Sequence, residues 1–463
     1  MRTIPKSEWP SWIKERFGKQ KNIEVKEKNG NFYLYKYRNV WDRKKKRPKK
    51  EVKYLGVIKR VGGRIYEHGH IMFLLWLCSL FGIDKKLKTH FPDEWKEILI
   101  FSMNRVIHPS PLKRIGSWME RTSLCKLLEI NALSGKRLSK VLAKVGMNIR
   151  SQRAFMKELI KDGEILIYDG SVIFSTSAHN RLLEIGYNKD KLLLPKVNIA
   201  LLFSKNRNLP IYFRIFFGSV HEIKSIEAVK KEIEGRNILF IGDKALYKNQ
   251  LYAEMNERGI DFLLPLPRDD KRIRYNAKMK RVFEYRERII KSTSYYVKPY
   301  YVYLFEDQYL KYVETSEYYK LKLSGKNVEF KERWAGKIAL LSNKKFDEKE
   351  AYLLWKTRDR IEKTFNVLQN FLETDKPYVS REDVFRGYIF SSFLSLIIYY
   401  LVLNFLKKHK VNDKISVEDV LFEFSKVMVE EEKIPYLSEI PAKVERLAKK
   451  LNVYNIITKI WES

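Results

Sequence analysis

The chain has 463 residues, 45% hydrophobic and 14% aromatic, so it can form roughly two to four domains and is too apolar for wholesale disorder. Lysine and arginine total 91 against 56 acidic residues, and the net charge of +35 predicts a polyanionic partner, most often duplex DNA. A generally basic or thermophilic proteome is the alternative explanation. The two cysteines, Cys78 and Cys125, exclude a disulfide scaffold and a zinc ribbon and fit a reducing cytoplasm.

We expect neither a signal peptide nor a membrane span in this sequence. Residues 1–21 are charged and contain Pro5 and Pro10. The apolar runs 71–81 and 389–405 are shorter than the ~20 residues that cross a membrane, and we expect both to form buried core helices. We therefore expect a cytoplasmic, nucleoid-associated protein that does not contact a membrane.

Residues 22–58 alternate between apolar and polar side chains in the manner of strands. The runs F-Y-L-Y-K-Y-R at 32–38 and E-V-K-Y-L-G-V-I at 51–58 flank the basic block Arg43–Lys50. This pattern predicts a β-hairpin with a charged loop. A DNA contact and a solvated loop without a partner explain the basic block equally well.

The segment from Tyr66 to Lys161 changes to helical spacing. Residues 133–145 and 151–160 predict two helices around a turn at Gly146, which is the size of a helix-turn-helix motif. Plain packing in a helical bundle explains the same pair and is favoured. The candidate DNA-contacting residues of the second helix are Arg150, Arg153 and Lys157.

Short apolar runs typical of buried strands begin after Glu164. A helix fits after the third run, where Ser219 and Glu222 have capping-box spacing, and another fits from Asn249 to Gly259. The predicted order of elements is that of an RNase H-like fold: three strands, a helix, a strand, a helix and a strand. The runs are I-L-I-Y at 165–168, V-N-I-A-L-L-F at 197–203, I-Y-F-R-I-F-F at 211–217, I-L-F-I at 238–241 and D-F-L-L-P-L at 261–266.

Residues 270–345 interrupt this layout with a tyrosine-rich composition. Of the 28 tyrosines of the chain, 11 lie here, and their alternation predicts a β-rich, mostly antiparallel insertion. We expect the insertion to lie beside the active site and to contact DNA through tyrosines and basic residues. The chain then returns to helical spacing, with a long helix over 348–372, an apolar helix near 387–407 and a charged helical tail.

Two aspartates follow buried strands. Asp169 follows I-L-I-Y and Asp243 follows I-L-F-I-G, at the positions where α/β sheets usually build their sites. A single aspartate of this kind more often caps a turn. Two of them on one sheet favour a functional site.

A third carboxylate is predicted on the helix over 348–372. Trp355, Arg358, Glu362 and Gln369 fall on one stripe at about 100° per residue. An exposed Glu362 paired with Arg358 has the same spacing, so the stripe alone does not decide between a ligand and a surface ion pair. The neighbouring apolar stripe consists of Leu354, Ile361, Phe365, Leu368 and Leu372.

These motifs resemble those of bacterial and archaeal insertion-sequence transposases of the DDE class. That family has an RNase H-like core, a β-rich insertion and a Y-x2-R-x3-E-x6-K signature. The resemblance covers most of the chain, from K-Y-L-G-V-I at 53–58 to R-G-Y-I-F at 386–390. Its most specific parts are Y-D-G-S, I-G-D-K-A-L-Y and R-D-R-I-E-K-T-F.

The resemblance implies a metal-dependent endonuclease and strand transferase. Asp169, Asp243 and Glu362 take the places of the family's catalytic residues, which hold two Mg²⁺ or Mn²⁺ ions. Arg358 takes the place of the signature arginine, which contacts the DNA end. Trp355 stands where the family has tyrosine and Gln369 where it has lysine, and Lys363 and Lys376 are the candidates to compensate for the missing lysine. The implied partners are the terminal inverted repeats and target DNA, with a homodimer in the synaptic complex.

The sequence thus predicts an α/β protein whose RNase H-like catalytic core is interrupted by a β-rich insertion. A mainly helical DNA-binding region precedes this core, and a helical region follows it. Two alternatives stay open: an RNase H-like nuclease or resolvase that cuts without joining, and a catalytically inactive DNA-binding protein derived from a transposase. The predicted boundaries are 1–65 for the basic β-hairpin region, 66–160 for the helical DNA-binding domain, 161–269 and 346–410 for the two parts of the core, 270–345 for the insertion and 411–463 for the helical tail.

Overall fold

The fold is taken from a computed structural model. It describes residues 2–10, 13–14, 17–28, 31–42, 47–58, 64–174, 184–187, 193–217, 222–233, 238–242, 249–326, 329–371, 379, 381–431 and 435–461. Contacts divide the chain into two units. The first comprises Met1–Tyr66, Met428–Ser438 and Ile460–Ser463, and the second comprises Glu67–Val427 and Glu439–Lys459.

The strands are taken here in chain order. They are β1 (Arg2–Ile4), β2 (Ile23–Lys28), β3 (Asn31–Asp42), β4 (Arg47–Ile58), β5 (Arg64–Glu67), β6 (Leu166–Phe174), β7 (Glu184–Tyr187), β8 (Leu193–Ser204), β9 (Leu209–Phe217), β10 (Ile238–Phe240), β11 (Asp261–Pro265), β12 (Arg281–Tyr285), β13 (Arg288–Val297), β14 (Tyr300–Asp307), β15 (Lys337–Ser342), β16 (Met428–Glu431) and β17 (Pro435–Leu437).

The α-helices follow in the same way. They are α1 (Gly69–Leu80), α2 (Ile83–His90), α3 (Trp95–Ile107), α4 (Leu112–Glu120), α5 (Leu124–Leu127), α6 (Gly135–Met147), α7 (Ile149–Lys157), α8 (Glu222–Glu232), α9 (Asn249–Glu257), α10 (Gln308–Leu323), α11 (Glu348–Lys356), α12 (Arg358–Asn366), α13 (Glu382–Lys408), α14 (Val417–Ser425), α15 (Ala442–Lys450) and α16 (Tyr454–Ile457). Short 3-10 turns occur at Lys6–Glu8 and Glu332–Trp334, and a π turn occurs at Val367–Phe371.

The first unit contains the predicted hairpin. Strands β1 to β4 form an antiparallel sheet in chain order, over a small core that includes Trp9, Val25 and Ile58. Asp42 pairs with Arg47, so Arg47 to Lys50 belong to β4 rather than to the predicted loop. The residues between them, 43–46, lie outside the described part of the chain. A second sheet, in the order β17-β16-β5, shows that the segment predicted as a purely helical tail also supplies strands.

The predicted turn at Gly146 is wrong. Helix α6 continues through Gly146 to Met147, and the chain turns at Asn148, whose side chain accepts a hydrogen bond from the Ser151 N–H at 3.2 Å. Gly146 is instead a contact point, because a Cβ there would lie 1.7 Å from the carbonyl oxygen of Asp383 in α13. Gly387 makes the reciprocal contact, with a Cβ position 1.9 Å from the Leu142 carbonyl oxygen. The two helices therefore pack backbone against backbone.

Helix α13 is the central core helix of the second unit. It passes the length and apolarity criteria for crossing a membrane, but 83% of its most apolar window is buried within the protein. It packs against α3, α6 and β9. This agrees with the sequence prediction of a buried core helix over the apolar run 389–405.

The large sheet of the second unit confirms the predicted strand series. Strands β6, β8 and β9 are antiparallel neighbours, while β10 and β11 extend the sheet on the other side, parallel to β6. This order is consistent with an RNase H-like core. Strand β7, which pairs with the start of β8, was not predicted.

The tyrosine-rich insertion extends this same sheet. Strands β12 to β15 are antiparallel, as predicted, and β15 pairs with β11, so that Leu341 lies opposite Leu264. Helix α10 was not predicted. Its start is marked by Asp307, whose side chain accepts a hydrogen bond from the Leu310 N–H at 3.0 Å. Tyrosine has a moderate helix propensity, so the tyrosine-rich composition favoured strands where a capped helix forms.

The helix predicted over 348–372 is divided. Helix α11 ends before Thr357, α12 begins after it, and the π turn at Val367–Phe371 follows. The predicted apolar stripe is nevertheless buried, because the backbone of Thr357 keeps helical dihedral angles. Its buried members within the described residues are Leu354, Ile361, Phe365 and Leu368.

Candidate active site

Asp169 lies within β6 and not at its end. The strand continues to Phe174, since its long partner β8 supplies hydrogen bonds throughout, and Asp169 pairs with Leu201. On the other side, the pairing with β10 stops one residue earlier, at Tyr168 and Phe240. Asp169 therefore stands where β6 loses its parallel neighbour. Its half-buried carboxylate accepts a hydrogen bond from the Gly170 N–H at 2.9 Å.

Asp243 lies outside the described residues, together with the following residues 244–248. Strand β10 ends at Phe240, three positions before it, and Ile241 is fully buried. Within the described ranges no group of three or more His, Cys, Asp or Glu side chains is placed to hold a metal ion. Asp243 is not among these residues, so the three-carboxylate site remains a prediction.

Glu362 is on α12, which lies against β6, the strand that carries Asp169. The buried stripe with Ile361 and Phe365 fixes the orientation of this helix, and it leaves the Glu362 side chain 52% exposed. The Glu362 carboxylate accepts a charge-assisted hydrogen bond from Arg358, one turn earlier on the helix. Such i, i+4 pairs stabilise a helix by only about 0.2–0.5 kcal/mol, so the carboxylate can exchange this partner at low cost.

Trp355 lines a cavity of about 210 Å³ between α11 and the insertion. The Lys356 ammonium lies 4.3 Å from the centre of the Trp355 ring, and burial lowers the pKa of Lys356 from its ordinary value. Arg288 of the insertion also lines the cavity and is paired with Asp307 at 3.4 Å. The cavity places the insertion next to the helix segment that precedes Glu362. Neither Lys356 nor Arg288 was predicted as a site residue, although Lys356 directly follows Trp355, which stands in the place of the signature tyrosine.

The other signature positions lie further along the helix. Lys363 is exposed on α12, and Gln369 is half-buried within the π turn. A π turn departs from 100° per residue, so the predicted angular position of Gln369 does not hold beyond Asn366. Turns of this type are frequent at functional sites.

The candidate DNA-contacting residues of α7 have different environments. Arg150 is exposed and Lys157 is half-buried. Arg153 pairs with Glu232 of α8 at 2.8 Å, and Arg214 of β9 pairs with the same carboxylate at 2.8 Å. Arg153 thus joins α7 to the core, and a DNA contact would compete with this ion pair.

The family model of the transposase DDE domain matches residues 160–398, which is more than half of the chain. The chain belongs to this family. It is an enzyme of DNA transposition, an endonuclease and strand transferase, and enzymes of this family typically use divalent metal ions. The cryo-EM structure of the piggyBac transposase synaptic complex with hairpin DNA is similar at 11% identity, with a TM-score of 0.40, over 79% of this chain and 71% of that chain. No curated protein matches the chain.

Proposed function

We propose that this transposase cleaves the ends of an insertion sequence and joins them to target DNA with Asp169, Asp243 and Glu362 as its metal-binding carboxylates. One observation carries the assignment: α12, which bears Glu362, lies against β6, which bears Asp169. Strand β10, which precedes Asp243 in the sequence, pairs with β6 in parallel. Asp169 and Glu362, which lie far apart in sequence, are thus on elements that pack together, and the strand that precedes Asp243 in the sequence is a neighbour of β6.

The donor chemistry of this set fits two Mg²⁺ or Mn²⁺ ions, since carboxylate oxygens are the hard ligands that these ions prefer. When bound, such ions activate the attacking hydroxyl and stabilise the leaving oxygen at phosphorus. The three carboxylates bind and orient the ions. Because the ion pair with Arg358 is a weak interaction of a half-exposed side chain, Glu362 can turn to a metal ion and leave the guanidinium for a phosphate of the DNA end.

We assign DNA contact to Arg358, Trp355, Gln369 and Lys363 near the carboxylates, and to Arg150, Arg153 and Lys157 on α7. The partners proposed are the terminal inverted repeats and target DNA, held by a homodimer in a synaptic complex in the cytoplasm, at the nucleoid. The net charge of +35 supports a nucleic-acid partner. We keep the layout of a basic hairpin region, a helical DNA-binding region over 66–160, a core divided by the insertion at 270–345, and a tail from 411.

The test is a strand-transfer assay with the full chain and labelled duplexes that carry the inverted repeats flanking its gene. We expect Mg²⁺-dependent cleavage followed by joining to a target plasmid, and loss of both on chelation with EDTA. Cleavage without joining would favour the nuclease or resolvase alternative. Binding without cleavage, in Mg²⁺ and in Mn²⁺, would favour the inactive DNA-binding protein.

A further inference from the structure

The β3–β4 hairpin extends beyond the sheet to which it belongs. Strand β2 accompanies β3 only as far as the pair Ile23 and Lys36, with one further backbone hydrogen bond from the Tyr37 N–H to the Asn22 carbonyl. Beyond this point β3 has β4 as its one strand partner among the described residues, from Arg38 opposite Glu51 to Asp42 opposite Arg47. We call the residues 38–42 and 47–51 the ribbon. At about 3.4 Å per residue it is about 15 Å long.

The ribbon exposes cations and one large aromatic side chain. Residues 47 to 50 are all exposed, and Arg47 and Lys49 pair with no carboxylate in the described part of the chain. Arg38 pairs with Glu51 at 2.9 Å, but both side chains are exposed, and such a pair contributes little. Trp41 is 64% exposed. The ribbon is therefore a basic surface with an apolar side chain in solvent.

Strand geometry separates these residues into two faces. Asn39 pairs with Lys50 and Trp41 pairs with Pro48, so these four share one face. Arg38, Arg47 and Lys49 share the opposite face. Lysine and Pro48 protect an open strand edge from pairing with other chains, which accounts for part of the composition. That role does not account for Trp41, since an edge is protected without an exposed indole ring.

We propose that the ribbon binds in the major groove of duplex DNA, with Asn39 and Trp41 toward the base edges and with the long side chains of Arg38, Arg47 and Lys49 reaching from the outer face to the phosphates that border the groove. The major groove is about 12 Å wide and admits a two-stranded β-ribbon, whereas the minor groove is about 6 Å wide. Asparagine pairs with adenine edges, and apolar side chains contact the thymine methyl group. The inference rests on the proposed function only in taking DNA as the partner of this chain.

The experiment measures binding of the full chain to a labelled duplex of about 30 base pairs, in EDTA so that no cleavage occurs. We expect Trp41→Ala to weaken binding roughly tenfold. We expect the triple variant Arg38→Gln, Arg47→Gln and Lys49→Gln to lower the slope of log K against log salt by about 2 to 3, through loss of phosphate contacts. Glucosylated hydroxymethylcytosine, which fills the major groove, should weaken binding of the wild-type chain and not of the variants. Netropsin, which fills the minor groove, should leave the difference in affinity between the wild-type chain and the variants unchanged.

Matched controls lie on the helices near the C-terminus. Phe422 is also 64% exposed, so Phe422→Ala removes a comparable ring. Arg446→Gln, Lys449→Gln and Lys450→Gln together remove the same charge, with Lys449 paired to Glu445 as Arg38 is to Glu51. Equal effects of ribbon and control variants, or displacement by netropsin alone, would overturn the proposal. Binding losses confined to the ribbon in a chain that never cleaves would refute the proposed function and leave this inference standing.

Discussion

At the contact between α6 and α13 the two backbones touch, whereas at the contact between β6 and α12 charged side chains stay partly exposed to solvent. In the first region Gly146 and Gly387 leave no space for a Cβ, and the surrounding side chains are buried. In the second, Glu362 is half exposed and pairs with Arg358 one turn earlier on the helix. The core sheet connects the two regions, since β9 packs on α13 and belongs to the sheet that contains β6.

The difference indicates which substitutions alter the folding of the chain and which alter its chemistry. A well-packed helix contact contributes to stability in every molecule, with or without DNA. A carboxylate that is weakly held in the DNA-free protein contributes little to folding and is available for ligands that arrive later. Variants in the two regions should therefore change different measurements.

The largest effect is expected at the carboxylates. Asp169→Asn, Asp243→Asn and Glu362→Gln should each lower cleavage and strand transfer by roughly a thousandfold or more, because metal positioning fails. Binding of the DNA end and the free energy of unfolding should change little. Cleavage and electrophoretic binding assays in Mg²⁺, run in parallel, measure both. Asp359→Asn, an exposed carboxylate on the same helix, is the control. Undiminished cleavage by any of the three variants removes that residue from the site.

At the packed contact, stability should fall instead. Gly387→Ala places a methyl group 1.9 Å from the Leu142 carbonyl oxygen, so the helices must separate, and we expect a loss of roughly 3 kcal/mol or more in the free energy of unfolding. Chemical denaturation followed by circular dichroism measures it. Met147→Ala, at the exposed end of α6, should change the unfolding free energy by less than about 1 kcal/mol. Equal stability of the two variants would contradict the close backbone contact.

Acid should lower the stability of another buried part of the core, at the start of α1. Burial lowers the pKa of His68 to about 4 and, together with the nearby His68 charge, that of His70 to about 3. The unfolded chain binds these protons near the ordinary histidine pKa of about 6.5, so it carries more protons than the folded chain below that pH. Stability is therefore complete above about pH 6.5 and falls as the pH decreases toward 4.

The free energy of unfolding should fall by about 1.4 kcal/mol per pH unit for each histidine that is neutral in the folded chain and protonated in the unfolded chain. Denaturation at a series of pH values gives the slope. The double variant His68→Gln and His70→Gln should show a shallower dependence between pH 6.5 and 4, whereas His108→Gln, at an exposed position, should keep that of the wild type. A wild-type slope of zero in this window would show that the buried histidines are protonated in the folded chain.

The smallest effect is expected at Arg358. Arg358→Ala removes the partner of Glu362 and the proposed contact to the DNA end, so we expect end-specific cleavage to fall by about tenfold and non-specific binding to stay nearly constant. A charge-conserving Arg358→Lys variant should recover part of the cleavage, because lysine keeps the positive charge. The recovery should be incomplete, because lysine lacks the two-pronged hydrogen-bonding geometry of a guanidinium. An equal loss of cleavage and of non-specific binding would show that Arg358 contacts DNA phosphates in general and has no particular role at the DNA end.

Sequence patterns predicted the core better than its borders. The runs before Asp169 and Asp243, and those at 197–203, 211–217 and 261–266, all form strands, because buried strands require continuous apolar side chains. The stripe of Leu354, Ile361, Phe365 and Leu368 is buried for the same reason. The spacing of Arg358 and Glu362 left an ion pair open beside a metal-binding role, and the ion pair is present in the DNA-free protein.

The misplaced features depend on partners that lie far away in sequence. Gly146 resembles a turn residue, and only the backbone of α13 shows that it is a contact point. Strand β6 passes beyond Asp169 because β8 is long enough to pair with it. Helix α10 was missed because its tyrosines favour strands, although Asp307 before it was an available capping signal. The meeting of three carboxylates stays a prediction, since Asp243 lies outside the described residues.

The pairing of β15 with β11 limits how this protein can evolve or be shortened. The insertion is not a separate module on a linker, because its returning strand covers the edge of β11. Deleting residues 270–345 would remove β15 and uncover that edge, and an open, apolar strand edge recruits other chains. A minimal version of the enzyme should therefore keep 336–343, or replace β15 with another strand. Changes in the length of the insertion are best tolerated at its outermost strand, β12, which pairs with β13 at the end of the sheet.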